Sequence, residues 1–248
     1  MALPDTLAIE RAGLKAWPGI EVEWDGAWVR RAAGGYTKRA NSLQCFDASD
    51  GDNAADRLAG AVAWFGARGL PPVVRTTPLA SASLNAALDA AGWQTIDRSH
   101  LYAMPLGEHE ADAQGRVTDL LESGFLAAQQ QLQGYPDGQL ARMRALLAVM
   151  AVPAIGIVIE RDGAAVASGL MAIADGVVIT GNVIADQARR RQGLGAAMMR
   201  TGLAWAKAQG ATTAALNVAA DNPAGKALYA SLGYRHCYDY TYRVPAQS

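Results

Sequence analysis

The stretch NVIADQARRRQGLGAAMMRTGLAWAKAQG, residues 182–210, is the most informative part of the chain. It opens as a short apolar strand, passes through an arginine-rich turn with two glycines, and continues as a helix of about four turns. Leu194, Met198, Thr201 and Trp205 recur at helical spacing and are expected to face a core. Gly193 and Gly195 fall in the first turn, where each glycine costs about 1 kcal/mol relative to alanine. Their bareness has two readings: close packing, or access for a bulky anion to the unpaired N–H groups of the helix start. Arg189, Arg190 and Arg191 add positive charge beside a helix dipole that already favours an anion, so a phosphate or pyrophosphate site is the first expectation. Two familiar phosphate loops do not fit. There is no GxxxxGK[ST], and GLGAAM departs from GxGxxG at its last position.

The flanks extend the pattern. Ala154–Glu160, Ala165–Ile173 and Val177–Ala185 read as strands joined by Asp-Gly turns at 162–163 and 175–176. Before them, Val117–Gln133 and Pro136–Met150 read as helices, with Leu120, Leu121, Phe125 and Leu132 on the apolar face of the first. After the helix, Thr213–Val218 is a strand, and Asn222-Pro223 starts a second helix with asparagine as cap and proline at the first turn. Leu228 and Leu232 should face inward, Gly233 closes the helix in a left-handed cap, and Tyr234–Val244 completes the sheet.

The first half reads as a weak helix over residues 1–20 and an antiparallel meander over 21–46, turning at Asp25-Gly26 and Gly34-Gly35. Trp24, Trp28 and Tyr36 are placed in the core. A helix over Ala54–Arg68 carries Leu58, Val62 and Phe65 on one stripe. A strand at 73–77, a helix at 83–91 and one or two strands over 93–104 follow. Residues 54–104 thus repeat the layout of 193–244: helix, strand, helix, Gly-aromatic, strands. An internal duplication is expected, its first copy lacking the glycine loop. The polar segment 105–112 is the expected linker between a domain at 1–110 and a second at 111–248.

Composition bounds the function. A net charge of −1 argues against a general nucleic-acid binder, which needs clustered excess positive charge. No uncharged apolar run approaches the ~20 residues of a membrane span, and the N-terminal MALPDTLAIERAG lacks the apolar core of a signal peptide. Cys45 and Cys237, with His100, His109 and His236, are scattered without metal-ligand spacing. A cytoplasmic monomer or homodimer with no metal is expected.

Arg190-Arg191-Gln192-Gly193-Leu194-Gly195 fits the pattern Arg/Gln-x-x-Gly-x-Gly/Ala, and LNVAADNPAGKALYASLGY at 216–234 follows after one helix and one strand. In this order the two segments resemble the acetyl-CoA signatures of the GNAT N-acetyltransferase superfamily, over residues 117–248. The resemblance implies an α/β fold of the α+β type. Its mixed, mostly antiparallel, splayed sheet is flanked by helices, in tandem if the first half is a second copy. It implies acetyl-CoA as co-substrate and an amine as acceptor, in a cleft flanked by the helical pair before the meander. Val183, Ile184 and Ala185 match positions whose backbone pairs with the pantetheine arm. Arg191, Gln192, Gly193, Leu194, Gly195 and Ala196 match the pyrophosphate loop. Asn222 matches an asparagine near the cofactor, and its other role is the helix cap. Tyr229 matches the tyrosine that protonates the departing thiolate, a phenol of pKa about 10 being suited to that leaving group; packing is its other reading.

The general base is where the pattern departs. Bacterial N-terminal alanine acetyltransferases of ribosomal proteins have glutamate where this chain has Asn217, and no acid lies between Val177 and Ala185. Glu122, Glu160 and Asp239 remain as candidates. Two functions stay open: an N-acetyltransferase, and a non-catalytic acyl-CoA sensor, which Asn217 and the altered first half allow and Tyr229 opposes.

Overall fold

The computed structural model describes residues 2–246. Helix α1 (Thr6–Ala16) is capped by Asp5, whose carboxylate accepts from the Ala8 N–H at 2.8 Å. Strands β1 (Glu21–Asp25), β2 (Trp28–Ala32) and β3 (Leu43–Cys45) form the first meander, followed by α2 (Ala54–Gly66), β4 (Val74–Thr76), α3 (Ala82–Ala90) and β5 (Gln94–Pro105). The chain continues through β6 (Gly115–Thr118), α4 (Ser123–Gln133), α5 (Asp137–Ala148), β7 (Ala154–Arg161), β8 (Ala164–Ala174) and β9 (Val177–Ala185). Helix α6 (Leu194–Ala208), β10 (Thr213–Ala219), α7 (Pro223–Ser231) and β11 (Arg235–Val244) complete it. Among the described residues no helix is long and apolar enough to cross a membrane.

All the strands join one 11-stranded sheet in the order β1-β2-β3-β4-β11-β5-β10-β9-β8-β7-β6. Pairing is antiparallel except at β3–β4 and β9–β10. The order reads alike from both ends of the central β11–β5 pair. β4 and β10 flank that pair, each with a parallel outer neighbour and an antiparallel meander beyond. The repeated layout seen in the sequence is therefore a symmetry of the sheet. The equivalent last strands, β5 and β11, cross over, so that β5 lies between β10 and β11. The loop after β3, equivalent to the glycine loop, carries Asp47, Asp50 and Asp52 in place of arginines.

Both faces of the second half are covered. Val178, Leu216 and Val218 pack against Leu194, Met198 and Leu203 of α6 on one face. Ile179, Ala215, Leu101 and Tyr238 pack against Ile9, Ala12 and Ala16 of α1 on the other. Helix α1 is anchored by Glu10, a buried carboxylate paired with Arg75 of β4. Glu10 also accepts hydrogen bonds from the Tyr238 hydroxyl at 2.6 Å and the Gln44 amide at 2.7 Å. Burial pushes its pKa up, but the Arg75 charge and these hydrogen bonds outweigh burial and leave it below the ordinary 4.5.

Several expectations are corrected. Residues 117–133 are not one helix: Gly115–Thr118 pairs with β7 as an edge strand, and α4 starts only at Ser123. The Asp119 carboxylate, accepting from the Leu121 N–H at 2.7 Å, makes the turn between them and leaves Leu121 exposed. Trp28 and Tyr36 are buried, but Trp24 is 50% exposed because it stands on β1, the outermost strand. Val62 lies outside the buried stripe of α2. The third strand of the first meander is confined to Leu43–Cys45. Lys38–Ala40 forms a 3-10 turn, and Asn41 spends its amide on the Gly-Gly turn, accepting from Ala33 N at 2.7 Å and Gly35 N at 3.0 Å.

Replacing Glu10 by alanine should lower stability by about 3–5 kcal/mol in denaturant unfolding, the scale for orphaning one member of a buried ion pair. The folded-state pKa of Glu10 lies below its ordinary value, so its contribution is full above pH 4.5 and lost as pH falls. The Glu10→Gln protein should accordingly lose less stability on acidification than the wild type.

Candidate functional site

The parallel partners β9 and β10 begin in register, Thr213 opposite Val177, and stay paired only as far as Leu216 opposite Thr180. Beyond this pair the strands separate. β9 continues along β8 to Ala185, while β10 continues along β5 to Ala219. From Gly181 to Ala185, the edge of β9 that faced β10 therefore has no strand partner. The bend occurs at Asn182, whose φ of +50° puts an extra residue opposite Gly169. A β-bulge of this kind turns a strand away from its neighbour. Three contacts hold it. The Asn182 amide donates to the Tyr36 hydroxyl at 2.9 Å, and its carbonyl accepts from the Gln129 amide at 3.1 Å. Gln129, fully buried on α4, also donates to Ser168 at 3.0 Å.

The open edge leads into the arginine–glycine turn. Gln187–Arg189 makes a 3-10 turn, Arg191 takes a φ of +62°, and Gly193 caps α6 with a φ of +74° and no side-chain hydrogen bond. The N–H groups of Leu194, Gly195 and Ala196 are thus left without helical partners. Arg190 and Arg191 are exposed and form no ion pair among the described residues, whereas Arg189 leans on Asp162 and Asp186. The two glycines differ in purpose. Gly193 faces open space and is required by its left-handed backbone, while a Cβ at Gly195 would stand 3.0 Å from Leu228 of α7. Gly195 lets the two helices approach, the packing alternative of the sequence reading.

Leu194 and Tyr229 share one core cluster, with Val183, Ala185 and Leu228 packed against it. The residues singled out on β9, α6 and α7 are thereby brought together. Tyr229 is buried, its hydroxyl makes no hydrogen bond among the described residues, and its pKa is pushed up to about 12 by burial. Asn222 is exposed and caps α7, accepting from the Gly225 N–H at 2.8 Å. On the open side of the separated strands lies a cavity of about 690 Å³. Thr180, Gly181 and Asn182 form one wall and Asn217 and Ala219 another, with Arg39, Ser99 and Tyr240 from the rest of the sheet.

The three candidate bases lie badly for the task. Glu122 and Glu160 meet Arg116 at the β6–β7 edge of the sheet, away from the cavity. Asp239 receives Arg98 at 2.5 Å, His236 at 2.7 Å and His100 at 2.6 Å, and these hydrogen bonds hold its carboxyl well below the usual range. A carboxylate so stabilised is a weak proton acceptor at neutral pH. This cluster also corrects the expectation of scattered histidines: β5 and β11 pair His100 directly with Asp239, and His236 joins them three residues earlier on the same strand.

A splayed mixed sheet whose open edge runs into a glycine turn is the architecture of the GNAT acyltransferases. A family model described as "Probable histone acetyltransferase Rv0428c C-terminal" matches residues 5–243, and the chain belongs to that family within the GNAT superfamily. Among curated proteins, the chain is 24% identical to the "Uncharacterized N-acetyltransferase YobR" of Bacillus subtilis, over 98% of this chain and 99% of that protein. It is 37% identical to the Mycobacterium tuberculosis protein "Probable histone acetyltransferase Rv0428c" over 65 residues, 26% of this chain and 20% of that one. Among solved structures, a GCN5-related N-acetyltransferase from Kribbella flavida superposes with a TM-score of 0.73 at 21% identity, covering 100% of this chain and 98% of that one. A tandem GNAT protein from the clavulanic acid biosynthesis pathway superposes with a TM-score of 0.65 at 14% identity, covering 100% and 90% of the two chains.

If Asn222 is principally a helix cap, Asn222→Ala should cost about 1 kcal/mol in thermal or denaturant unfolding and Asn222→Ser much less. Equal stability of all three proteins would leave its hydrogen bond to Gly225 without energetic weight.

Proposed function

We propose that the chain is an acetyl-CoA-dependent N-acetyltransferase that passes the acetyl group directly to an amine. The observation that carries this reading is the separation of β9 from β10 after Thr180 and Leu216, which leaves a strand edge open between the glycine turn and the cavity. An unpaired strand edge takes up an extended chain by backbone hydrogen bonds. Val183, Ile184 and Ala185 suit the amide-bearing pantetheine arm in this way. The bare N–H groups at Leu194, Gly195 and Ala196, with Arg190 and Arg191 beside them, suit a pyrophosphate, and Gln192 and Gly193 complete the turn. Asn222, exposed at the start of α7, is assigned to the same co-substrate. The residues present therefore fit the co-substrate.

In this scheme the chain contributes position and charge. The amine enters from the cavity as the neutral base and attacks the acetyl carbon beside Thr180 and Gly181. Backbone N–H groups on the open edge of β9 stabilise the negative charge developing on the carbonyl oxygen. As the carbon–sulfur bond breaks, Tyr229 gives its proton to the sulfur, and the proton lost by the amine restores the phenol through water. A hydroxyl with a pKa of about 12 is protonated throughout the neutral range, as this role requires. The rival sensor reading has no use for a cavity beside the open strand edge, and the site favours it less.

Removing both free arginines, Arg190→Ala with Arg191→Ala, should weaken acetyl-CoA binding in calorimetry by about tenfold or more. Stability should change by less than about 0.5 kcal/mol, since both side chains are exposed. Tyr229→Phe should lower turnover while leaving acetyl-CoA affinity nearly intact. Unchanged turnover would remove the acid role from Tyr229, and unchanged affinity in the arginine variant would remove the phosphate role from the turn.

A further inference from the structure

The floor of the cavity has a charge imbalance. Arg39 and Asn217 line it and also line a narrow gap of about 10 Å³ behind it, where Glu10, Arg31 and Arg75 meet. Three guanidinium groups thus surround one carboxylate, and that carboxylate is already saturated by Arg75, Tyr238 and Gln44. Arg31, 1% exposed, reaches only neutral acceptors: the Trp17 carbonyl at 3.2 Å and the Gln44 side-chain oxygen at 3.1 Å. Arg39 lies over the Trp17 ring at 5.3 Å and its side chain makes no hydrogen bond or ion pair among the described residues. The Nε atoms of Arg31, Arg39 and Arg75 are all buried and unpartnered. Burial, with repulsion from Arg75 and Arg39, brings the pKa of Arg31 down to about 9. At the rim, Lys38 is neutralised by Asp97 at 2.6 Å and Arg98 by Asp239 at 2.5 Å, so that among the described residues exposed Asp221 is the one lining carboxylate without an ion pair, against Arg39 and the arginines behind it.

Buried cations without counter-charge are costly, and an anion arriving with the substrate relieves that cost. We propose that the acceptor amine carries an anionic group, a carboxylate in the simplest case, held by Arg39 with Arg31 and Arg75 behind it. This rests on the acetyl-transfer reading and adds the acceptor's class to it: amino acids and other amino-carboxylates rather than a lysine-rich protein tail, which this surface would repel. It also gives Asn217 a purpose. Its side-chain oxygen is 3.4 Å from the Arg75 guanidinium, so a carboxylate at this position would spend on itself the charge left for the substrate.

Arg39 is a binding residue in this proposal, and the test compares matched amines on the full chain. Thiol release from acetyl-CoA is followed with free amino acids and their carboxamides, with phosphoethanolamine and ethanolamine, and with a lysine-rich peptide. Amino acids should exceed their carboxamides by more than about tenfold in kcat/KM, and Arg39→Gln should erase that preference with acetyl-CoA affinity unchanged. Asn217→Asp should reduce it likewise. Phosphoethanolamine outrunning the amino acids would keep the anion and reassign it as a phosphate. Carboxamides or the lysine-rich peptide being used equally well, or the preference surviving in Arg39→Gln, would overturn the proposal. Calorimetry separates the two layers: failure to bind acetyl-CoA counts against the acetyl-transfer reading. If no amine is acetylated, the anion site stands or falls on whether the wild type binds an amino acid over its carboxamide and Arg39→Gln does not.

Discussion

The bulge at Asn182 is the constraint on which the site depends. Two parallel strands would ordinarily stay paired to their ends, because each unmade ladder bond leaves a donor and an acceptor wanting a partner. Here β9 leaves β10 after Thr180 and follows β8 instead. The left-handed backbone of Asn182 starts the departure, and Tyr36 from the first half and Gln129 from α4 hold it there. The open strand edge and the cavity beside it go with that one displaced residue, and the edge runs into the glycine turn.

The first half of the chain shapes the site without repeating it. Its own equivalent of the glycine turn carries aspartates, and Asp50 is occupied by Arg57 and the Ala27 N–H. A pyrophosphate would meet like charge there. In exchange the first half supplies α1 as the cover of one sheet face, Tyr36 as a brace for the bulge, Arg39 at the cavity, and Arg31 and Arg75 in the narrow gap behind it. The symmetry of the sheet explains why these groups lie so close: β5 and β11 cross between the halves and draw both meanders onto one cavity.

Much of this was legible in the sequence because its signals are local. Asp-Gly turns, the Asn222-Pro223 helix start and the arginine–glycine turn each act within a few residues, and the repeated order of elements gave the symmetry. The failures have a common cause. Val117 and Thr118 share an apolar pattern with the helix after them, and only pairing with β7 makes them a strand. Trp24 looked like core because nothing local marks β1 as the outer strand. The gathering of His100, His236 and Asp239 and of the three arginines joins residues far apart in sequence. Asn182 carries a local sign of its role, as an asparagine amid apolar strand residues, which tolerates a left-handed backbone better than its neighbours would.

Amide hydrogen exchange with and without acetyl-CoA tests most directly whether the open edge and the bare helix start form one binding surface. Protection should rise at Val183–Ala185 and Leu194–Ala196 together, with little change in the equivalent turn at residues 46–53. Protection confined to other parts of the chain, or none on adding acetyl-CoA, would contradict the assignment.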